Sequence, residues 1–66
     1  MIVDEELLGM IETSWQTIAF QEQRIIDIRD GYSHEEQIDR RLDRCAGFLG
    51  EAAIELGKAV KLLRGE

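Results

Sequence analysis

The chain has no proline, a single cysteine, a single histidine and four aromatic residues among its 66 positions. Without proline the strongest helix breaker is missing, and only glycine is left to punctuate long helical segments. A lone Cys45 excludes a disulfide within the chain. Cys45 and His34 stand too far apart in sequence, and are too few, to form a Cys/His metal cage. No apolar run approaches the roughly 20 residues that cross a bilayer. Basic residues are also scarce: eight face fourteen acids, for a net charge of −6. Non-specific nucleic-acid binding needs cations that displace counterions, so this balance points away from nucleic acid. The acids are interspersed rather than laid in rows, which reads as solvated helix surface rather than as a nucleic-acid mimic. The opening Met1-Ile2-Val3 runs straight into Asp4-Glu5-Glu6, which offers no signal-peptide pattern. A reducing cytoplasm is the expected setting for the unpaired thiol, with a virion interior as the alternative.

What is present is helical periodicity. The row Ile38, Leu42, Cys45, Leu49, Ala52, Leu56, Ala59, Leu63 advances in alternating steps of four and three. Such a row is the seam of a helix packed lengthwise on another. A second row of small residues, Ala46, Gly50, Ala53 and Gly57, runs beside it. Upstream, Leu7, Leu8, Ile11, Trp15, Ile18, Ala19, Ile25 and Ile26 share one wide helical face. Asp4 is the expected N-cap of this first helix, with Glu5 and Glu6 favourably placed in its first turn and Arg29 in its last.

Asp30-Gly31-Tyr32-Ser33 is the break. Gly31 is expected to end the first helix in the left-handed C′ conformation, and Ser33-His34-Glu35-Glu36 reads as a capping box for the second. Gly65 falls just past the second helix, and Glu36 with Arg40 forms an i,i+4 ion pair. The expected fold is therefore all-α: one domain, 1–66, an antiparallel αα-hairpin with helices over about 4–29 and 33–64. A connection this short makes the helices neighbours. Closing the hairpin at Gly31–Tyr32 pairs Ile25 with Ile38, Ile18 with Cys45, Trp15 with Leu49, Ile11 with Ala52 or Ala53, and Leu8 with Leu56.

Two helices at this length bury little apolar surface, so a second copy is expected, giving a four-helix bundle. Gly47, Gly50 and Gly57 each cost about 1 kcal/mol relative to Ala inside a helix. Close approach of a second chain to Ala46, Gly50, Ala53 and Gly57 accounts for two of the three, so these four are assigned as the dimer interface. Gly47 has no such account.

Candidates for function are few. Met10, Phe20, Tyr32 and Phe48 lie off the core face and are assigned as partner contacts, because aromatics and Met anchor interfaces. Glu22 interrupts the apolar face of the first helix, where Arg41 and Arg44 are expected to neutralise it. Arg24, Arg29, Arg40, Arg41 and Arg44 gather at the turn end, with Asp27, Asp30, Asp39 and Asp43 nearby to offset them. Arg40, Arg41, Arg44 and Glu22 form the alternative set, for a phosphorylated ligand. His34 has no partnered acid or nucleophile, and Cys45 reads as a small buried hydrophobe. No catalytic residue, metal or cofactor is assigned, and the chain is read as non-enzymatic.

The run Phe48-Leu49-Gly50-Glu51-Ala52-Ala53-Ile54-Glu55-Leu56-Gly57-Lys58-Ala59-Val60 resembles the second helix of very small phage-encoded inhibitors. It is similar to the quorum-sensing anti-activator proteins of Pseudomonas phages, through Leu49, Ala52, Ala53, Leu56, Gly57 and Ala59. The resemblance implies a dimerising helical hairpin that stoichiometrically blocks a host regulator, such as a transcription activator or an assembly ATPase, in the host cytoplasm. A looser pattern, Arg-x-x-Leu followed by a Leu-x-x-Ala helix, resembles phage sponges that sequester cyclic-nucleotide signals. Length and layout are also similar to Rop-type RNA-binding hairpin dimers, whereas the acidic balance points elsewhere. The expected function is thus a phage-encoded inhibitor that binds itself and a host protein, with neither nucleic acid nor membrane as partner. A signal-binding sponge and a purely structural oligomerisation module are the alternatives.

Overall fold

The computed structural model describes residues 4–32 and 35–65. Two helices, α1 (Glu5–Gly31) and α2 (Glu36–Arg64), pack along their length as an all-α hairpin. At 27 and 29 residues they are about 40 and 43 Å long.

Local chemistry sets three of the four ends. The Asp4 carboxylate accepts from the Leu7 N–H at 3.0 Å, as its position before Glu5 and Glu6 predicts. Gly65 ends α2 in the left-handed conformation at φ 78°, where a side chain would be strained. The start of α2 differs from the expected capping box. Glu35 is its N-cap, with carboxylate oxygens accepting from the Gln37 and Ile38 N–H groups at 3.1 and 3.0 Å. A carboxylate there satisfies two orphan donors and sits favourably at the positive end of the dipole. Ser33 and His34 lie outside the described residues, and Glu36 instead pairs with Arg40 at 2.8 Å, the expected i,i+4 bond. The end of α1 also differs. Gly31 is the last helical residue rather than a left-handed stop, and the Tyr32 N–H donates to the Ile28 carbonyl at 2.9 Å.

The register between the helices is set by contacts seven residues apart on both. The Arg29 guanidinium pairs with Asp43. The Glu22 carboxylate lies over Gly50, and the Trp15 ring over Gly57. Seven residues are two turns, so these contacts define one face on each helix. Toward the open end, Arg64 reaches back to Glu12. This register is displaced by eight residues, about 12 Å, from the expected one, in which Trp15 meets Leu49. The largest side chain of α1 lies instead on the smallest residues of α2, the interlocking that close packing favours. With Arg29 level with Asp43, the first turn of α2 projects beyond the end of α1.

The shift changes which row of α2 faces inward. Ala46 and Val60 are its buried residues, at 7% and 2% exposure, with Gly50, Ala53 and Gly57 between them. Glu22 and Trp15 of the same chain lie over Gly50 and Gly57, and Gly50, Ala53 and Gly57 also line a groove left open between the helices. Of the four residues assigned to a dimer interface, Gly50 and Gly57 are thus approached by α1 of the same chain. The row expected to be the seam is only half covered: Leu42, Leu49, Leu56 and Leu63 are half-buried, while Ile38 and Cys45 are exposed. Cys45 is accordingly not the buried hydrophobe expected, because the residue after it, Ala46, takes the inward position.

The glycines separate by what surrounds them. A Cβ at Gly57 would meet the Trp15 ring at 3.5 Å, so Ala fits and a longer side chain does not, whereas a Cβ at Gly47 meets nothing within 4 Å. Gly57→Leu should lower stability by about 1–3 kcal/mol through overpacking, and Gly47→Ala should raise it by up to about 1 kcal/mol. Chemical denaturation followed by circular dichroism checks both; equal stability of the two variants would contradict the register.

Candidate functional site

The hairpin's register sorts the charges at its closed end. Asp39 and Asp43 precede Ala46 on the row that faces α1; Asp39 is half-buried, and Asp43 reaches Arg29 while staying largely exposed. Asp43 is taken up by Arg29, which also bonds Asp30 at 3.0 Å. The side-chain hydrogen bond that Arg29 donates to Asp30, then the one it donates to Asp43, raises its pKa further and holds the guanidinium charged. One Asp39 carboxylate oxygen is withdrawn from solvent without a hydrogen-bond partner among the described residues. Asp27 accepts from the Gln23 amide at 3.0 Å.

Arg40, Arg41 and Arg44 come later around the helix and point outward. Together with Gln37 they line one depression along the first two turns of α2. The spacing explains the grouping, since residues three, four and seven apart share a helical face. Gln37 is absent from the sequence-derived set, although its distance from the three arginines would have placed it there. The expected offset is thus met in part: Asp30 and Asp43 pair with Arg29, while among the described residues none of the four acids pairs with Arg40, Arg41 or Arg44. Among the described residues, Arg40 pairs with Glu36 and no ion pair holds Arg41 or Arg44.

The same face continues toward the C-terminus. Phe48 lies with Arg41, Arg44, Cys45, Leu49 and Ala52 around a second, mostly apolar depression. An exposed aromatic next to two guanidinium groups can offer apolar contact and charged hydrogen bonds to one partner. Among the assigned partner residues, Met10, Phe20, Tyr32 and Phe48 are all exposed, at 57, 62, 81 and 69%. They do not form one patch. Met10 borders a shallow depression with Glu5, Glu6, Gly9, Thr13 and Ser14 on α1. Phe20 stands ten residues, about 15 Å, further along that helix, and Tyr32 caps its end.

Glu22 belongs elsewhere. The expected pairing with Arg41 and Arg44 fails because those residues lie near the level of Gly31 and Ile28, two turns away. Glu22 instead lines a groove between the helices with Trp15, Ile54, Gly57, Lys58 and Lys61. Gly50 is what gives it room: a Cβ there would lie 2.5 Å from a Glu22 carboxylate oxygen. The alternative ligand set is thus divided, with Arg40, Arg41 and Arg44 together and Glu22 apart.

Among the described residues, no group of three His, Cys, Asp or Glu side chains is placed to hold a metal ion. No described helix is long and apolar enough to cross a membrane. Comparison with known protein families, curated proteins and solved structures finds no match to this chain.

The two kinds of arginine should respond differently to charge reversal. Arg29→Glu places a third acid beside Asp30 and Asp43 and should lower the melting temperature. Arg41→Glu with Arg44→Glu should leave it unchanged, since these residues serve no contact between the helices. Thermal melts at low salt, where surface charge is least screened, check the order, and a reversed order would contradict it.

Proposed function

We propose that the chain is a small non-enzymatic binding protein that inhibits a host protein by stoichiometric contact in the cytoplasm. The reading follows the phage-encoded hairpins that its second helix resembles. The observation that carries it is the outward placement of Phe48 beside Arg41 and Arg44 on a continuous helix. A rigid helix holds such anchors without the ordering cost that a loop would add. Aromatic and arginine side chains dominate the energetics of many interfaces. The chemistry suits a partner surface with an apolar pocket bordered by carboxylates.

In bacterial host lysate, the tagged chain should retain one predominant protein at a fixed molar ratio. Phe48→Ala combined with Arg41→Ala should cut its recovery at least about tenfold. Retention of nothing at a reproducible ratio, or full recovery by the double variant, would count against inhibition by binding.

A second reading draws on the depression lined by Gln37, Arg40, Arg41 and Arg44. Converging guanidinium groups suit a phosphorylated signal such as a cyclic nucleotide. A thermal-shift screen distinguishes it. Stabilisation by a cyclic nucleotide that disappears in Arg41→Ala with Arg44→Ala would favour the sponge, and no shift with any nucleotide would remove it.

A further inference from the structure

The two long edges of the hairpin differ in kind. On one edge the Glu12–Arg64 pair closes over the groove that also holds Glu22, Lys58 and Lys61. The other edge is formed by the residues one position before the inward row of α2, namely Leu42, Leu49, Leu56 and Leu63. In an antiparallel pair the matching edge of α1 carries Ile11, Ile18 and Ile25, each four residues before Trp15, Glu22 or Arg29. All seven are half-buried, so α1 and α2 cover part of each and leave the rest open. Ser14, Gln21, Cys45 and Ala52, which border this strip, are uncharged. The strip itself thus carries no charge, and Arg41 and Arg44 border it around Leu49, where Phe48 also stands.

We infer that this apolar edge is a self-association surface whose occupant is a second copy of the same chain. The first argument is area. The accessible surface is 5273 Å², whereas a compact monomer of 7.6 kDa exposes about 4300 Å². The excess, roughly 1000 Å², is close to the ~800 Å² per partner that a standard stable interface removes. The second is charge. A copy carries net charge −6, so two copies repel except where both present no charge. This strip is such a place, and it is complementary to itself because apolar ridges alternate with small residues such as Cys45, Ala52 and Ala59. The third is spacing. Four-three steps along both helices are what a lengthwise helical partner requires, and the hairpin has used the neighbouring row for its own closure. Pairing two such edges buries the leucines and isoleucines in a four-helix arrangement, with the small-residue row inside each hairpin rather than between copies. Phe20 and Met10 remain outside, on the far side of α1 from α2.

Sedimentation equilibrium over a wide concentration range should give twice the chain mass. A monomer at every concentration would overturn the inference. Leu49→Ala with Leu56→Ala should weaken self-association at least about tenfold, whereas Ile54→Ala on the opposite edge should leave it unchanged. Equal weakening by both, or a dimer indifferent to the leucine changes, would place the interface elsewhere. Should the double-alanine chain not fold, hydrogen exchange of the wild-type chain at concentrations spanning the transition supplies the test. Slower exchange on association around Leu42–Leu63 and Ile11–Ile25 supports the assignment, and protection confined elsewhere refutes it.

Discussion

Everything specific about this hairpin depends on one packing contact repeated along its length: a bulky group of α1 set over a residue of α2 that has almost no side chain. Trp15 over Gly57 and Glu22 over Gly50 favour one alignment of the helices. A displacement of one turn would bring the indole and the carboxylate over Ala53 and Ala46 in one direction, or over Lys61 and Ile54 in the other, each larger than the glycines they now cover. Arg29 and Asp43 finish the alignment at the closed end, as Glu12 and Arg64 do at the other. These ion pairs are partly solvated and contribute little on their own. Their part is to agree with the glycine contacts, which makes a single register the consistent solution.

The functional surface follows from that alignment. Because Arg29 is level with Asp43, the first turn of α2 extends past α1, and Gln37, Arg40 and Arg41 are exposed there. Because Asp39 and Asp43 fall on the inward row, the arginines are separated from acids that lie beside them in sequence. An overall charge of −6 therefore coexists with a local cationic face that ends in Phe48. Net charge sets long-range repulsion, whereas recognition is decided by which side of a helix each charge occupies.

The alignment also leaves the molecule under-covered. Ala46 and Val60 are small to medium side chains, and they are the buried ones. The hydrophobic term scales with apolar area withdrawn from water, and here most of the leucine and isoleucine surface is withdrawn only in part. A chain of this size commonly gains the remainder from an added constraint or another subunit. The apolar edge is where such a gain is available, since its ridge residues carry no charge and only Arg41 and Arg44 border it.

The sequence by itself determined the local structure. Spacing of apolar residues marked both helices, Asp4 and Gly65 marked two of their ends, and the shortness of the break made them antiparallel neighbours. Each of these depends on residues a few positions apart, so each is legible in a single chain. The register was not. A slide of seven residues returns every side chain to the same face of a helix, so periodicity constrains the face and leaves the level free. Two parallel rows on α2, one of leucines and one of small residues, then competed for the inward position, and hydrophobicity favoured the leucines. Only tertiary packing decided for the small row, because Trp15 and Glu22 need space that leucines do not leave. That decision moved Cys45 into solvent, parted Glu22 from Arg41 and Arg44, and left the leucine row half-buried at the edge of the helix contact.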